Sequence, residues 1–183
     1  MGFAVLDSTG LLMRVLFIVS ALLLLTAGLA RANSLKTAVF DFELVDTSLQ
    51  GEVSGPRTDE SERLVRIGDQ LRTEMAVSGK FQLLDISSIN AAAHGSNLQA
   101  CGGCDVQYAK QLGADLAVTG VVQKVSNLIL NMNIYLRDVQ TGRLVTSMSA
   151  DLRGNTDESW SRAMSYLVRN RLLAPNYGAP QPQ

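Results

Sequence analysis

Residues 115–153 read DLAVTGVVQKVSNLILNMNIYLRDVQTGRLVTSMSADLR, and this stretch decides the fold. Asp115 to Val125 is an apolar, valine-rich run, the pattern of a strand covered on both faces. Leu128, Leu130, Met132, Ile134 and Leu136 then alternate with Asn131, Asn133, Tyr135 and Arg137. A period of two sends alternate side chains to opposite faces of a strand, so this run has one dry side and one wet side. Thr141-Gly142 supplies a turn. The return strand sends Leu144, Thr146, Met148, Ala150 and Leu152 to the dry side and Arg143, Ser147, Ser149, Asp151 and Arg153 to the wet one, with Val145 an apolar exception. The result is a hairpin with one wet face.

Upstream, Leu35 to Leu44 (LKTAVFDFEL) reads as a strand in which Ala38, Phe40 and Phe42 alternate against Val39 and Asp41. Val45 to Arg57 is polar and turn-rich, a long loop. Asp59 and Glu62 have capping-box spacing, and Leu64, Ile67, Leu71 and Met75 follow at helical spacing until Gly79. Phe81 to Leu84 is a second strand, a brief helix runs from Asp85 through Ala93, and another runs from Asp105 to Leu112. A closing helix starts near Asn155 with Glu158 as capping partner. Its stripe, Trp160, Ala163, Met164 and Leu167, breaks at Arg171, and Trp160 anchors it on the sheet. This order predicts an α+β domain: a mixed, largely antiparallel sheet of about five strands with helices packed on one face.

The ends and the charge narrow the function. Arg14, the apolar run Val15 to Leu29 and Ala30-Arg31-Ala32 form the pattern of a Sec-type signal peptide over residues 1–32, cleaved after Ala32. The run of about 15 residues is short of the roughly 20 a membrane-spanning helix needs, so no membrane anchor is expected after cleavage. Residues 33–174 are then a single domain and 175–183 (PNYGAPQPQ) a disordered tail, with the product in the periplasm. The net charge of −1 gives no basic face for nucleic acid.

Lys36 to Glu43 (KTAVFDFE), Gly79 to Asp85 (GKFQLLD), Leu112 to Val125 (LGADLAVTGVVQKV) and Asp138 to Val145 (DVQTGRLV) resemble, in this order, the amino-terminal domain of TolB. The curli-secretion and penicillin-binding-protein activator lipoproteins share that design. The chain also resembles secreted bacterial proteins of unknown function that combine a cysteine-bearing loop, a Gly-Ala-Asp strand and the run Arg153 to Trp160 (RGNTDESW). The resemblance implies a TolB-N-like fold and a periplasmic binding or assembly module, with the partner unstated; the leading expectation is a non-enzymatic accessory protein that binds another envelope protein.

Cys101 and Cys104 flank two glycines (CGGC) in an exported chain, which points to a disulfide. Two roles fit the pair: a local clasp, or a thiol–disulfide or metal-handling site with Cys104 at a helix start. A thioredoxin-type motif would follow a core strand directly, whereas a loop precedes this one. His94 reads as a loop histidine, with no nucleophile elbow near Ser87, Ser88 or Ser96, and Asp41, Glu43 and Asp46 read as a polar strand end. No catalytic residue, metal ligand or cofactor is assigned. The candidate interaction face is Asn131, Asn133, Tyr135, Arg137, Arg143 and Arg153.

Overall fold

A computed structural model describes residues 34–174. Along the chain run β1 (Leu35–Val39), β2 (Glu43–Asp46), α1 (Leu49–Ser54), α2 (Thr58–Val77), β3 (Phe81–Leu83), α3 (Asn90–His94) and α4 (Cys104–Gln111). Then come β4 (Leu116–Ser126), β5 (Ile129–Asp138), β6 (Leu144–Leu152) and α5 (Asp157–Leu167), which continues as a π-helical turn over Val168–Leu172. The expected signal peptide, 1–32, and tail, 175–183, lie outside the described residues.

The strands form one sheet in the order β3-β1-β4-β5-β6, with β2 pairing β4 beyond β1. β1 is parallel to β3 and β4, β2 is parallel to β4, and β4-β5-β6 is antiparallel. The fold is therefore α+β with a mixed, largely antiparallel sheet. β4 is central and buried on both faces from Leu116 to Val122, as its apolar run requires.

The expected first strand is bent into two. Val39 stands opposite Val118 and Glu43 opposite Val121, four steps along one chain against three along the other. One extra residue in a strand reverses its side-chain alternation. Phe40 and Phe42 therefore enter different apolar clusters on opposite faces rather than sharing one. Phe42 lies over Gly120, where its ring occupies the place a β-carbon would take.

The larger cluster packs Ile67, Leu71 and Met75 of α2 and Trp160, Met164 and Leu167 of α5 against Val118, Val122, Leu130, Met132, Ile134 and Leu136. The predicted stripes and the dry side of the hairpin thus meet here, except that Leu128 and Leu144, also expected on the dry side, are exposed. On the other face, α3, α4 and their loops bring Ala93, Leu98 and Ala109 to Ala38, Phe40 and Ala117. The long helices accordingly share one face, and the two short ones cover only the parallel half of the other. That leaves the far face of β5 and β6 without a helix.

Helix ends differ in detail from the sequence reading. α2 starts after Arg57, with no side-chain cap, because Asp59 is engaged by Arg57 and Arg63 instead. Thr156, not Asn155, caps α5, in a reciprocal box with Ser159. Asn155 Oδ1 instead accepts from Trp160 Nε1 at 3.1 Å. The π turn advances the stripe by one position. Val168 and Leu172 consequently join the core where regular helix would have placed Arg171.

Candidate functional site

The wet side of the hairpin forms rows across the sheet. Gln123, Asn131 and Asp151 stand in register, as do Val121, Asn133 and Ser149, and Thr119, Tyr135 and Ser147. Asn131 Nδ2 donates to Ser149 Oγ (2.9 Å) and Asp151 Oδ1 (2.8 Å). Asn133 and Tyr135 make no side-chain hydrogen bond among the described residues. Their strand neighbours Met132, Ile134 and Leu136 are fully buried, which fixes the backbone that carries them.

One end of this face is closed by the cysteine loop. The Cys101–Cys104 disulfide is present, spanning 5.8 Å between α-carbons, and Gly102 and Gly103 between them both adopt positive φ (72° and 110°). Glycine reaches those angles without steric cost. Gln99 Nε2 donates to Thr119 Oγ1 at 2.6 Å, and Leu98 N donates to Glu43 Oε1 at 2.9 Å, tying the loop to the sheet. Asp105, in the first turn of α4 and buried, forms an ion pair with Arg137, Oδ2 to Nε at 3.2 Å, while neither of its carboxylate oxygens receives a hydrogen bond among the described residues. A cleft of about 430 Å³ opens between the loop, Arg137 and Gly142.

These contacts revise part of the expected face. Arg137 is half-committed, because its guanidinium holds Asp105. β6 carries an extra residue: Leu136 stands opposite Thr146 but Arg137 opposite Leu144, so Val145 is bulged. This accounts for the apolar exception and shifts Arg143 out of phase with the row it was assigned to; its carbonyl instead accepts from Asp138 N at 2.9 Å. Arg143 and Arg153 are exposed just beyond the two ends of β6. Asn131, Asn133, Tyr135 and Arg137 do share one face.

The other candidates are positioned by structure rather than gathered for chemistry. His94 Nε2 lies 3.3 Å from Asp41 Oδ2, and Asp41 also receives Arg72, so this carboxylate joins α2 and α3 to the bend between β1 and β2. None of Ser87, Ser88 and Ser96 hydrogen-bonds His94; Ser96 pairs with Tyr108 at 3.0 Å. Among the described residues no three His, Cys, Asp or Glu side chains gather as a metal site would require.

Sequence reasoning missed a buried ionic cluster. Lys124 is fully buried, with Nζ 2.7 Å from Glu60 Oε1 and 2.9 Å from Asp46 Oδ2. Asn155 Nδ2 also donates to Glu60 Oε1, at 2.5 Å. Burial alone would depress the Lys124 ammonium, but its bonds to Glu60 and Asp46 outweigh this and raise its pKa. Burial would likewise raise the Asp46 carboxyl, but Ser48 and Lys124 hold it below the usual range. The available signal was the row Val118, Gly120, Val122, Lys124: a cation on the core-facing side of a strand must find acidic partners.

The family model "Protein of unknown function (DUF2380)", of the family DUF3280, matches residues 35–172. The chain belongs to this family. No curated protein matches the chain. Among solved structures it is similar to the LpoB C-terminal domain from Salmonella enterica, at 16% identity and TM-score 0.48, covering 73% of this chain and 91% of that one. It is also similar to lipoprotein GNA1162 from Neisseria meningitidis (13% identity, TM-score 0.45, 75% of this chain and 98% of that one). TolB from Acinetobacter baumannii is a third, at 14% identity and TM-score 0.38, with 75% of this DUF3280 chain covering 29% of TolB. TolB, which the sequence resembles, is thus among the solved structures to which the chain is similar.

Proposed function

We propose that this chain is a periplasmic accessory module that binds another envelope protein, without catalysis, through the open face of β5 and β6. The observation that carries the proposal is the state of Asn133 and Tyr135: both sit on a strand whose opposite side is fully buried, yet neither spends its side-chain polar groups within the described chain. Amides, hydroxyls and a phenol on a fixed frame form a recognition surface, because little conformational entropy is lost when a partner supplies matching groups. The signal-peptide pattern at residues 1–32 supports export, and among the described residues no helix is long and apolar enough to cross a membrane.

In this reading the cysteine loop and the Asp105–Arg137 pair hold one end of the face in shape. The test is site-specific photo-crosslinking in intact cells from position 133, followed by capture with the Asn133→Ala/Tyr135→Ala variant. A discrete envelope protein crosslinked from position 133, and lost in the double variant, is the expected result. Undiminished capture by a variant with unchanged circular dichroism overturns the proposal. Arg137 is avoided because its removal would strand the buried Asp105.

A further inference from the structure

The end of the sheet where β4 turns into β5 has a composition unlike the rest of the surface. α1 contains no buried residue at all. Its two apolar side chains, Leu49 and Val53, are 75% and 78% exposed, although a six-residue helix has no intrinsic stability to spare. α1 is held against the hairpin turn, where Asn127 Nδ2 donates to Gln50 Oε1 at 2.8 Å and Thr47 N donates to Lys124 O at 2.9 Å. Val45, Val125, Leu128 and Ile129 are exposed beside it, Leu128 by 74%. Six of the eleven exposed large aliphatic or aromatic side chains among the described residues are thus gathered at one tip. Contiguous apolar surface of this kind marks an association site rather than ordinary scatter.

The ends of the strip carry opposite charge. Across the sheet the order is α1 after β2, then β4, β5 and β6. Glu52 stands in α1 at one extreme and Arg153, directly after β6, at the other; both are exposed, and neither has an ion partner among the described residues. A strip with an apolar middle, an anion at one end and a cation at the other is complementary to itself when turned by a two-fold axis through its centre. Each Glu52 then meets the Arg153 of the other copy, and the aliphatic side chains cover one another.

We infer that two copies of this chain associate through this tip, as an isologous dimer centred on Leu128 and Ile129 and closed at both rims by Glu52 and Arg153. This inference is independent of the sheet-face reading, since it uses none of Asn131, Asn133 or Tyr135. The test is sedimentation velocity of the purified protein over a concentration series from micromolar to sub-millimolar. A concentration-dependent dimer is expected. Leu128→Asp, at an exposed turn where it removes no core contact, should leave a monomer with an unchanged circular dichroism spectrum. Glu52→Arg and Arg153→Glu should each weaken the dimer about tenfold, since each change is felt twice across the axis. The exchanged pair Glu52→Arg/Arg153→Glu should return the affinity to within about threefold of the starting value. A protein that stays monomeric throughout overturns the inference, as does a dimer indifferent to Leu128→Asp. A double exchange that fails to restore what the single reversals lose also overturns it. A tip reserved for a different protein or for lipid would give the monomeric outcome.

Discussion

Lys124 illustrates how one side chain can join parts of the chain far apart in sequence. It lies on the core side of β4, and its charge is satisfied by Asp46 from β2 and Glu60 from α2. Removing one partner of a buried pair leaves the other charge unpaired, which costs about 3–5 kcal/mol. Lys124→Met should therefore lower unfolding free energy by about that much in urea melts, and Lys124→Met/Glu60→Gln should recover part of the loss. Gly120 makes a second residue-scale case. A β-carbon there would occupy the Phe42 ring, so Gly120→Ala should destabilise by about 1–3 kcal/mol. The same change in a Phe42→Ala background should cost less than it does alone, because the ring it collides with has gone. A Gly120→Ala protein of unchanged stability would show that the ring has room to move.

At the scale of elements, the α4 loop supplies the clearest prediction. The ring closed by Cys101 and Cys104 is very short, so in the chain-entropy account the bond contributes only about 2 kcal/mol. Cys101→Ser/Cys104→Ser should fold, melt at lower urea by that margin, and keep partner capture through Asn133 and Tyr135. Loss of capture with intact folding would instead assign the sulfurs a direct role. The same loop marks the boundary of what the sequence made legible. Strict alternation from Leu130 to Leu136 fixed both faces of β5, since period-two burial depends on little else, whereas Leu128, expected on the dry side, lies in the turn before the strand and is exposed. Counting residues along one strand could not reveal the extra residue between Val39 and Glu43 or at Val145, because a bulge is defined against its neighbour. Leu172 was hidden for a related reason: a π turn changes helical phase without any sequence marker such as proline or glycine. The pairing of Arg137 with Asp105 brings together residues 32 positions apart, and only the packing of α4 on the sheet creates it.

Over the whole molecule, the charge pattern sets the pH range of stability. The Arg57 and Arg63 hydrogen bonds hold Asp59 well below the ordinary carboxylate range. The Thr141 amide lowers Asp138, and Arg63 lowers Asp157. Each of these groups binds its proton less readily folded than unfolded. Their contribution is complete above an unfolded pKa of about 4 and is lost as pH falls through the depressed folded values. Lys124 has the opposite sign: its raised pKa gives a contribution that is complete below about 10.4 and is lost as pH rises through the elevated folded value. Urea midpoints should thus be nearly flat from about pH 5 to 9 and fall on both sides. Lys124→Met should lose its share of the alkaline fall, and a variant that kept the whole of it would refute the assignment.

The bend between β1 and β2 has a further consequence for how this chain can vary. Because Phe40 to Phe42 hold one residue more than the facing part of β4, losing one residue there would straighten the strand and leave Glu43 to Asp46 opposite the same residues of β4. A gap inside Glu43–Asp46 has the opposite effect, since it would turn the residues ahead of it over and part Phe42 from Gly120. Homologous chains that keep a lysine and a glycine at these places in β4 should therefore admit a one-residue gap at the bend but none within β2.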